Sequence, residues 1–262
     1  MRRLIWAVTD DTLTDLSHDA FLGGRLHVFQ PRQGFRSGID AVLLAASVPA
    51  KPGQSVLELG CGVGVASLCL HTRVPRLHLT GIEVQSSYAK LAEKNATSLE
   101  ADMRVVTADL ADLPQDLRQR QFDHVMMNPP YYDRRSGPPS GNTGRETALA
   151  GETPLLTWID VGIKRLAPKG HLTMIQHITR LPEVISGVAG RLGSLRVRPI
   201  AGRASTAPKL FLLQAQHSGR APFQLSPTLF THAGDSHVAD QESYTAEVQQ
   251  ILRDGGTLRI AG

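Results

Sequence analysis

The stretch Ser55-Val-Leu-Glu-Leu-Gly-Cys-Gly-Val-Gly64 decides the fold of this 262-residue chain. Its first half is a short apolar run around one glutamate, which predicts a buried strand. Its second half alternates glycine with other residues, and glycine lets a backbone turn sharply and come close to a ligand. A helix is predicted directly afterwards, over about 65–72. The stretch therefore predicts a strand, a ligand-binding loop and a helix in succession.

The same alternation of strands and helices continues along the chain. Strands separated by helices need crossover connections, so we predict an α/β fold with a mostly parallel sheet and helices on both faces. The predicted strands are 55–59, 77–83, 103–107, 122–127 and 171–176, and the predicted helices between them include 86–99 and 155–166.

Two regions fall outside this alternation. The N-terminal region predicts a short hairpin that ends at 25–30 and a helix over about 40–48, which lead into the sheet. The segment 136–144 is rich in glycine, proline and serine and predicts a loop after the fourth strand. We expect one domain over 1–262, made of an N-terminal hairpin and helix (1–50), a catalytic core (51–216) and a C-terminal extension (217–262).

Composition excludes several classes of protein. Apolar residues make up 41% of the chain and charged residues 20%, which is unlike collagen, coiled-coil or wholly disordered chains. Cys61 and Cys69 are the only cysteines and have no partner at metal-binding spacing, so we expect no disulfide, no metal and a cytoplasmic location. No uncharged run is long enough to cross a bilayer, so no membrane or export role is expected.

The positive charge is concentrated in one segment. The formal net charge is only +4, but 184–234 contains basic residues and no acidic one. On charge alone, a solvated or helix-capping set of cations and a nucleic-acid surface are equally open. The basic residues of this segment are Arg191, Arg196, Arg198, Arg203, Lys209 and Arg220.

Acidic residues accompany three successive strands. Glu58 precedes the glycine loop, where a carboxylate suits a ligand with an ammonium group. Glu83 ends the second strand, where a carboxylate can accept both hydroxyls of a ribose, and Asp109 follows the third, where it could receive the exocyclic amine of adenine. Taken alone, Glu83 and Asp109 could instead be helix N-terminal carboxylates, and the glycine triplet could be only a tight turn. Their order at the carboxyl ends of the strands favours a nucleoside site.

The stretch Asn128-Pro129-Pro130-Tyr131 follows the fourth strand and predicts the catalytic motif. Two successive prolines force an extended backbone without N–H donors, so carbonyl oxygens face the pocket. Asn128 Oδ1 and the Pro129 carbonyl can accept both hydrogens of a planar NH2 group, and Tyr131 offers a ring for stacking. The alternative is a rigid turn that only ends the strand. No strong base is needed before transfer, so none of the histidines is assigned that role.

The Glu58-Leu-Gly-Cys-Gly-Val-Gly64 stretch, Glu83 and Asp109 together resemble class I S-adenosylmethionine-dependent methyltransferases, over about 50–216. The resemblance implies a seven-stranded Rossmann-like sheet with an antiparallel last strand, for which 209–215 is the candidate. It implies S-adenosyl-L-methionine as cofactor. In that family the glycine loop and Glu58 would hold the methionine end, Glu83 the ribose and Asp109 the adenine.

Asn-Pro-Pro-Tyr resembles the motif of amino-group methyltransferases. The flanking stretches 30–45, 128–133 and 244–247 resemble the tRNA1(Val) (adenine-37) N6-methyltransferase family. That resemblance implies that the N-terminal segment lies over the cofactor. The cofactor contacts that it implies are Phe35, Arg36, Ser37, Asp40, Glu58, Gly60, Cys61, Gly62, Gly64, Glu83, Val84, Asp109, Leu110 and Asn128.

These observations predict methylation of an adenine N6 amine in RNA, most simply in tRNA. The base would be unstacked beside Tyr131 and the phosphates held by a basic surface. The candidate RNA contacts are Arg134, Arg135, Arg145, Arg191, Arg196, Arg198 and Arg203.

Several alternatives stay open. The same motif would serve guanine N2 in ribosomal RNA, adenine in DNA or glutamine in a protein. A regulatory protein that binds the cofactor without catalysis is disfavoured by the intact motif. A dehydrogenase is disfavoured by Glu58 and by the glycine spacing, which meets the dinucleotide pattern only loosely.

Overall fold

A sheet of mostly parallel strands carries helices on both faces. The computed structural model describes residues 15–131, 153–234 and 243–260. The strands are β1 (Leu16–Phe21), β2 (Leu26–Pro31), β3 (Ser55–Leu59), β4 (His78–Glu83), β5 (Met103–Thr107), β6 (Phe122–Met127), β7 (Leu166–His177), β8 (Gly193–Ala201), β9 (Leu210–Gln216), β10 (Gln224–Leu225) and β11 (Leu229–Phe230). The helices are α1 (Ile39–Ser47), α2 (Val65–Arg73), α3 (Ser86–Ser98), α4 (Gln115–Gln119), α5 (Leu155–Lys164), α6 (Leu181–Val188) and α7 (Ala246–Asp254).

The strand order confirms the predicted architecture. The main sheet runs β10-β8-β9-β7-β6-β3-β4-β5, and β11 also pairs with β8. Seven of these strands form the expected sheet, and β9 is antiparallel to both β7 and β8. The two extra strands, β10 and β11, have two residues each and lengthen the β8 edge. The expected antiparallel strand at 209–215 is therefore β9.

Two predicted boundaries needed correction. The helix predicted over 155–166 ends at Lys164, and β7 begins at Leu166, five residues before the predicted start. The pairing of β7 with β6 is irregular up to His171 and regular from there on. The predicted strand therefore corresponds to the regular part of β7. The strand β8 was not predicted, because its alternating arginines were interpreted only as a basic segment.

Both faces of the sheet are covered by apolar packing. Val56 of β3 faces a cluster that includes α1, α2 and α7, and Leu57 faces a second cluster that includes α5 and α6. Alternate residues of a strand point to opposite faces, so a strand covered on both sides is apolar throughout. Full burial of one such side chain contributes about 2 kcal/mol. The ligand-binding edge therefore rests on a rigid, doubly covered sheet.

The N-terminal hairpin of β1 and β2 is held against the glycine loop by one buried side chain. Asn95 of α3 accepts the Phe29 N–H at 2.9 Å and donates to the Phe29 carbonyl at 3.0 Å. Its amide also donates to the Val63 carbonyl at 3.0 Å. The hairpin is thus hydrogen-bonded to the same asparagine as the loop after β3.

No helix of the described ranges is long and apolar enough to cross a bilayer.

Candidate active site

The glycine loop lies at the carboxyl edge of the sheet, between β3 and α2. Gly60, Gly62 and Gly64 have φ of 66°, 54° and 90°, a backbone region that favours glycine. A Cβ at Gly60 would collide with the ring of Trp158, whereas a Cβ at Gly62 would meet only Phe35, at 3.9 Å. The loop is therefore packed on the α5 side and open on the side of the N-terminal segment.

Glu83 supports this loop from the end of β4. Its side chain is 7% exposed, and its carboxylate accepts the Gly62 N–H at 3.0 Å and the Gln85 N–H at 2.9 Å. Burial raises the pKa of this carboxyl, and the backbone hydrogen bonds oppose that shift. The adjacent Val84 is 63% exposed and presents an apolar surface beside the carboxylate.

Glu58 and Asp109 both act as helix caps. Glu58 is buried, and one carboxylate oxygen accepts the Ser67 N–H at 3.1 Å and the Ser67 hydroxyl at 2.5 Å, in the first turn of α2. Burial raises the pKa of Glu58 to about 8 despite these hydrogen bonds. Asp109 accepts the Ala111 N–H at 2.9 Å and caps the short 3-10 helix Leu110–Asp112. The alternative predicted for Asp109 is therefore realised, and Glu58 has a similar role that was not predicted. Each still lies at the expected strand end.

Cys61 and Leu110 are buried parts of the same edge. The Cys61 thiol lies against Gly81, where a Cβ would come within 2.7 Å of the sulfur. Burial raises the pKa of this thiol, with the neighbouring carboxylates Glu58 and Glu83 adding to the effect. Leu110 packs in the cluster beneath α5. Both residues shape the edge of the sheet.

The side-chain oxygen of Asn128 is a hydrogen-bond acceptor without a donor among the described residues. Its Oδ1 atom is buried, and no donor of the described residues reaches it. Buried polar atoms in folded proteins are nearly always hydrogen-bonded, so such an atom at a strand end indicates a ligand group. The next carbonyl, that of Pro129, accepts a hydrogen bond from Gln176 of β7 at 3.2 Å. A carbonyl oxygen has two acceptor positions, so one is left at Pro129.

Tyr131 is tied to the N-terminal helix. Its hydroxyl donates to Asp40 Oδ2 at 2.6 Å, and its ring lies 6.4 Å from the ring of His177. Burial raises the pKa of Asp40, and the Tyr131 hydrogen bond opposes that shift. Asp40 was predicted as a cofactor contact, and its hydrogen bond to Tyr131 also connects it to the catalytic motif.

The segment before α1 is held in place by hydrogen bonds at both of its ends. The Tyr88 hydroxyl accepts the Phe35 N–H at 2.9 Å, and Gln30 Oε1 accepts the Ser37 N–H at 2.8 Å. Between them, Arg36 pairs with Asp19 of β1 at 2.6 Å. The structure therefore places Phe35 beside the glycine loop and Asp40 beside Tyr131.

The arginines in and around β8 do not form the RNA surface that was expected of them. Arg191 lies before β8, at the edge of the sheet opposite to Asn128, and pairs with Asp160 at 2.7 Å. Arg196 occupies the strand itself, and its Nε is buried. Arg198 is 13% exposed and makes two hydrogen bonds to Glu247 of α7, at 2.8 and 2.9 Å.

Arg203 follows β8 at the Asn128 edge, but it donates to Ser243 Oγ at 3.1 Å and to the carbonyls of Ala233 and Gly234. These four arginines therefore do not form one continuous basic surface. They are spread from one end of β8 to the other, and three of them, Arg191, Arg198 and Arg203, are hydrogen-bonded to other side chains or to carbonyls. The other predicted RNA contacts, Arg134, Arg135 and Arg145, lie outside the described residues.

Several residues at this edge were not predicted as site residues. Gln176 contacts the motif from β7, Trp158 packs on Gly60 from α5, and Tyr88 holds the N-terminal segment from α3. Lys209 precedes the antiparallel β9, so it lies at the Asn128 edge, and it is exposed. None of them belongs to a motif, so only the strand order could have indicated them.

Comparison with known proteins shows which proteins this edge resembles. Residues 36–140 match the Methyltransferase small domain family, and this range contains the glycine loop, Glu83, Asp109 and the Asn-Pro-Pro-Tyr motif. Over this range the chain is similar to S-adenosylmethionine-dependent methyltransferases. Its cofactor is S-adenosylmethionine.

Solved structures agree with the fold of this methyltransferase. A crystal structure of a predicted O-methyltransferase from Agrobacterium tumefaciens superposes with a TM-score of 0.68 at 22% identity, and covers 84% of this chain and 98% of that one.

Curated relatives extend the similarity along the chain. A tRNA1(Val) (adenine(37)-N6)-methyltransferase of Shewanella baltica (strain OS185) is 26% identical over 246 residues, which are 90% of this methyltransferase and 98% of that protein. The protein of the same name from Shewanella halifaxensis (strain HAW-EB4) is 31% identical over 152 residues, which cover 57% of this methyltransferase and 61% of that protein.

The edge fits the cofactor of the methyltransferase. The glycine loop is open on one side, Glu83 is a carboxylate at the end of β4, and the exposed Val84 offers an apolar surface that a purine ring would cover. The unpartnered Asn128 Oδ1 lies after β6, the strand that pairs with β3. These groups match a ligand that carries a ribose, a purine and an amino acid.

Proposed function

We propose that this methyltransferase modifies the exocyclic N6 amine of an adenine in tRNA. The observation that carries the proposal is the buried Asn128 Oδ1, which has no donor among the described residues. An NH2 group is the donor that suits an amide oxygen beside a backbone carbonyl. The relatives named tRNA1(Val) (adenine(37)-N6)-methyltransferase support adenine as the base and tRNA as its carrier.

The residues of the motif have separate roles in this proposal. The amine would donate one hydrogen to Asn128 Oδ1 and the other to the remaining acceptor position of Pro129. Both hydrogen bonds draw the amine out of conjugation with its ring and make the nitrogen lone pair available, and positioning supplies much of the rate. Tyr131 would stack on the flipped base. Its bond to Asp40 fixes the plane of that ring.

The cofactor residues have roles that follow from their positions. When bound, S-adenosylmethionine supplies a methyl group on a positively charged sulfur. Glu83 would accept the ribose hydroxyls, Val84 would lie against the adenine, and Asp109 would receive the adenine amine. Glu58 would face the amino acid end as a carboxylate, and its raised pKa makes that role dependent on pH. Phe35 and its segment would cover the open side of the glycine loop.

The RNA surface is proposed at the Asn128 edge. Lys209 supplies an exposed cation there, and Arg134, Arg135 and Arg145 follow the motif directly in sequence. Lysine and arginine side chains neutralise phosphates and make binding depend on salt. We include Lys209 in the surface in place of Arg191, Arg196, Arg198 and Arg203. The proposed setting is the cytoplasm, with residues 1–262 acting as one domain.

The test is methyl transfer to separate pools of acceptor. The protein is incubated with S-adenosylmethionine labelled in the methyl group and with tRNA, ribosomal RNA, DNA or protein. The expected result is label in tRNA, recovered as N6-methyladenosine after digestion to nucleosides. Label in ribosomal RNA as N2-methylguanosine, in DNA or in glutamine would contradict the proposal. Label in no pool, with cofactor binding intact, would support a regulatory protein instead.

A further inference from the structure

The two prolines of the motif offer few backbone groups that could hold it in place by hydrogen bonds. Proline has no backbone N–H, so Pro129 and Pro130 can be fixed only through their carbonyl oxygens. What binds these two carbonyls therefore helps to position the Asn128 side chain and the backbone that carries Tyr131, whose hydroxyl is also held by Asp40.

Gln176 binds both of them. Its Nε2 atom lies 3.2 Å from the Pro129 oxygen and 3.4 Å from the Pro130 oxygen, and an amide NH2 has two hydrogens to donate. Its own oxygen accepts the His177 N–H at 2.7 Å. The side chain is 0% exposed and lies on β7, which pairs with β6 just before the motif. Both polar atoms of this buried amide are therefore hydrogen-bonded within the protein.

We infer that Gln176 is a positioning residue for methyl transfer, which holds the Asn-Pro-Pro-Tyr motif in the geometry that receives the target amine. The role rests on the proposed function, in which Asn128 accepts that amine. A displacement of the motif of about 1 Å would cost on the order of 100-fold in rate. Because Gln176 does not touch the base or the cofactor in this scheme, the loss should fall on kcat.

Two substitutions of Gln176 separate hydrogen bonding from packing. Gln176→Met keeps a similar volume and donates no hydrogen bond. Gln176→Glu keeps the shape, but as a carboxylate it sets an acceptor against two carbonyl oxygens. A protonated glutamic acid can still donate to one of them, and burial between carbonyls favours that protonated form. The control is Gln214→Met, because Gln214 is a buried glutamine of the adjacent β9 whose amide donates to the Ser47 carbonyl.

The expected kinetic result has three parts. In Gln176→Met, kcat falls on the order of 100-fold at every pH, while KM for the acceptor and Kd for the cofactor change less than about threefold. In Gln176→Glu, kcat relative to the native chain rises as the pH is lowered from 9 to 6. Gln214→Met keeps the native kcat. A native kcat in Gln176→Met, a loss confined to KM, or a pH-independent ratio in Gln176→Glu would each overturn the inference.

The kinetics are measured on whichever acceptor the native chain labels, so a wrong assignment of tRNA and a wrong role for Gln176 are different results. A spectroscopic measurement needs no acceptor. The chain has four tyrosines, which can be replaced by 3-fluorotyrosine, and Tyr131→Phe identifies one signal in the fluorine NMR spectrum. In Gln176→Met the Tyr131 signal should shift or broaden while the Tyr88 and Tyr244 signals stay. An unchanged Tyr131 signal would overturn the inference.

Discussion

The hydroxyl of Tyr131 donates a 2.6 Å hydrogen bond to the carboxylate of Asp40, which lies 91 residues earlier in the chain. This bond joins the catalytic motif after β6 to the start of α1. The same N-terminal segment reaches the glycine loop through Phe35. One hydrogen bond therefore connects the segment over the cofactor edge with the ring that would receive the base.

Removing either partner of this bond should reduce kcat. Tyr131→Phe keeps the stacking ring and Asp40→Leu keeps a similar volume without an acceptor, and we expect each to lose about 10-fold in kcat, since a hydrogen bond to a charged group contributes about 1.5–3 kcal/mol. The double variant should lose no more than either single variant, because both remove the same bond. Steady-state kinetics of the four proteins check this. Multiplying losses would show that the two residues act independently.

Asn128→Ala should abolish transfer and leave cofactor binding intact. Asn128 offers the unpartnered acceptor, so its removal should lower kcat by about 100-fold or more, as loss of a group that binds the reacting atoms does. Calorimetric titration with S-adenosylhomocysteine should give a Kd within about twofold of the native value. Full activity in this variant would remove Asn128 from the mechanism.

Cofactor binding should release a proton from Glu58. Burial raises the pKa of Glu58 to about 8, so the free protein holds this group largely protonated at pH 7. An ammonium group favours the carboxylate, so affinity should rise with pH and level off near pH 8. Calorimetry in two buffers with different heats of ionisation measures the proton released. The Glu58→Gln variant should lack this release. Equal proton release by the native chain and by Glu58→Gln would show that Glu58 only caps α2.

Mild acid should destabilise the fold through His124. Burial, with a smaller effect from His171, lowers the pKa of His124 from 6.5 to about 4, and its Nε2 bonds to Gln54 at 2.9 Å. The folded state therefore binds fewer protons than the unfolded chain between these values, and stability falls as the pH drops from 6.5 to 4. The loss is about 3 kcal/mol for this group.

Urea unfolding at several pH values measures the effect of His124. The unfolding free energy of the native chain should fall relative to that of the His124→Gln variant as the pH drops over the same window, because the variant lacks this group. His171, whose pKa burial lowers, and the carboxyls Glu58, Glu83 and Asp40, whose pKa burial raises, are unchanged in that variant and contribute to the dependence that remains. Identical slopes in the two proteins would show that His124 is not the group responsible.

Binding of tRNA should weaken with salt and depend on Lys209. Each phosphate contact adds about one unit to the slope of log Kd against log salt, so Lys209→Gln should reduce the slope by about 1. Lys51→Gln removes the same charge at the opposite edge, before β3, and should leave the slope unchanged. Fluorescence anisotropy with labelled tRNA measures both. Equal slopes for the two variants would place the RNA elsewhere.

The local features of this chain were predictable from its sequence. The apolar run of β3, the glycines after it and the two prolines after β6 act through neighbouring residues, because periodicity and backbone restriction are local properties. The mostly parallel sheet followed from the alternation of strands and helices, whereas the antiparallel β9 was implied by the resemblance to class I methyltransferases. The boundary of β7 was missed because its first residues pair irregularly with β6.

The arginines show the limit of a charge pattern. Six basic residues without an acidic one indicate a basic surface only if their side chains reach solvent together. In the fold, Glu247 from a distant helix approaches Arg198, and Asp160 approaches Arg191. The acidic partners lie outside the basic segment in sequence, so composition by segment could not show them.

The sequence by itself determined the class of fold, the cofactor edge and the presence of the motif, since these depend on residues a few positions apart. Only the tertiary structure decided what holds the motif, because Gln176 meets Pro129 across 47 residues and Asp40 meets Tyr131 across 91. Such pairs form when strands and helices pack. The physical reason is that a side chain's partner is set by strand order and register, whereas a motif records only its own neighbours in the chain.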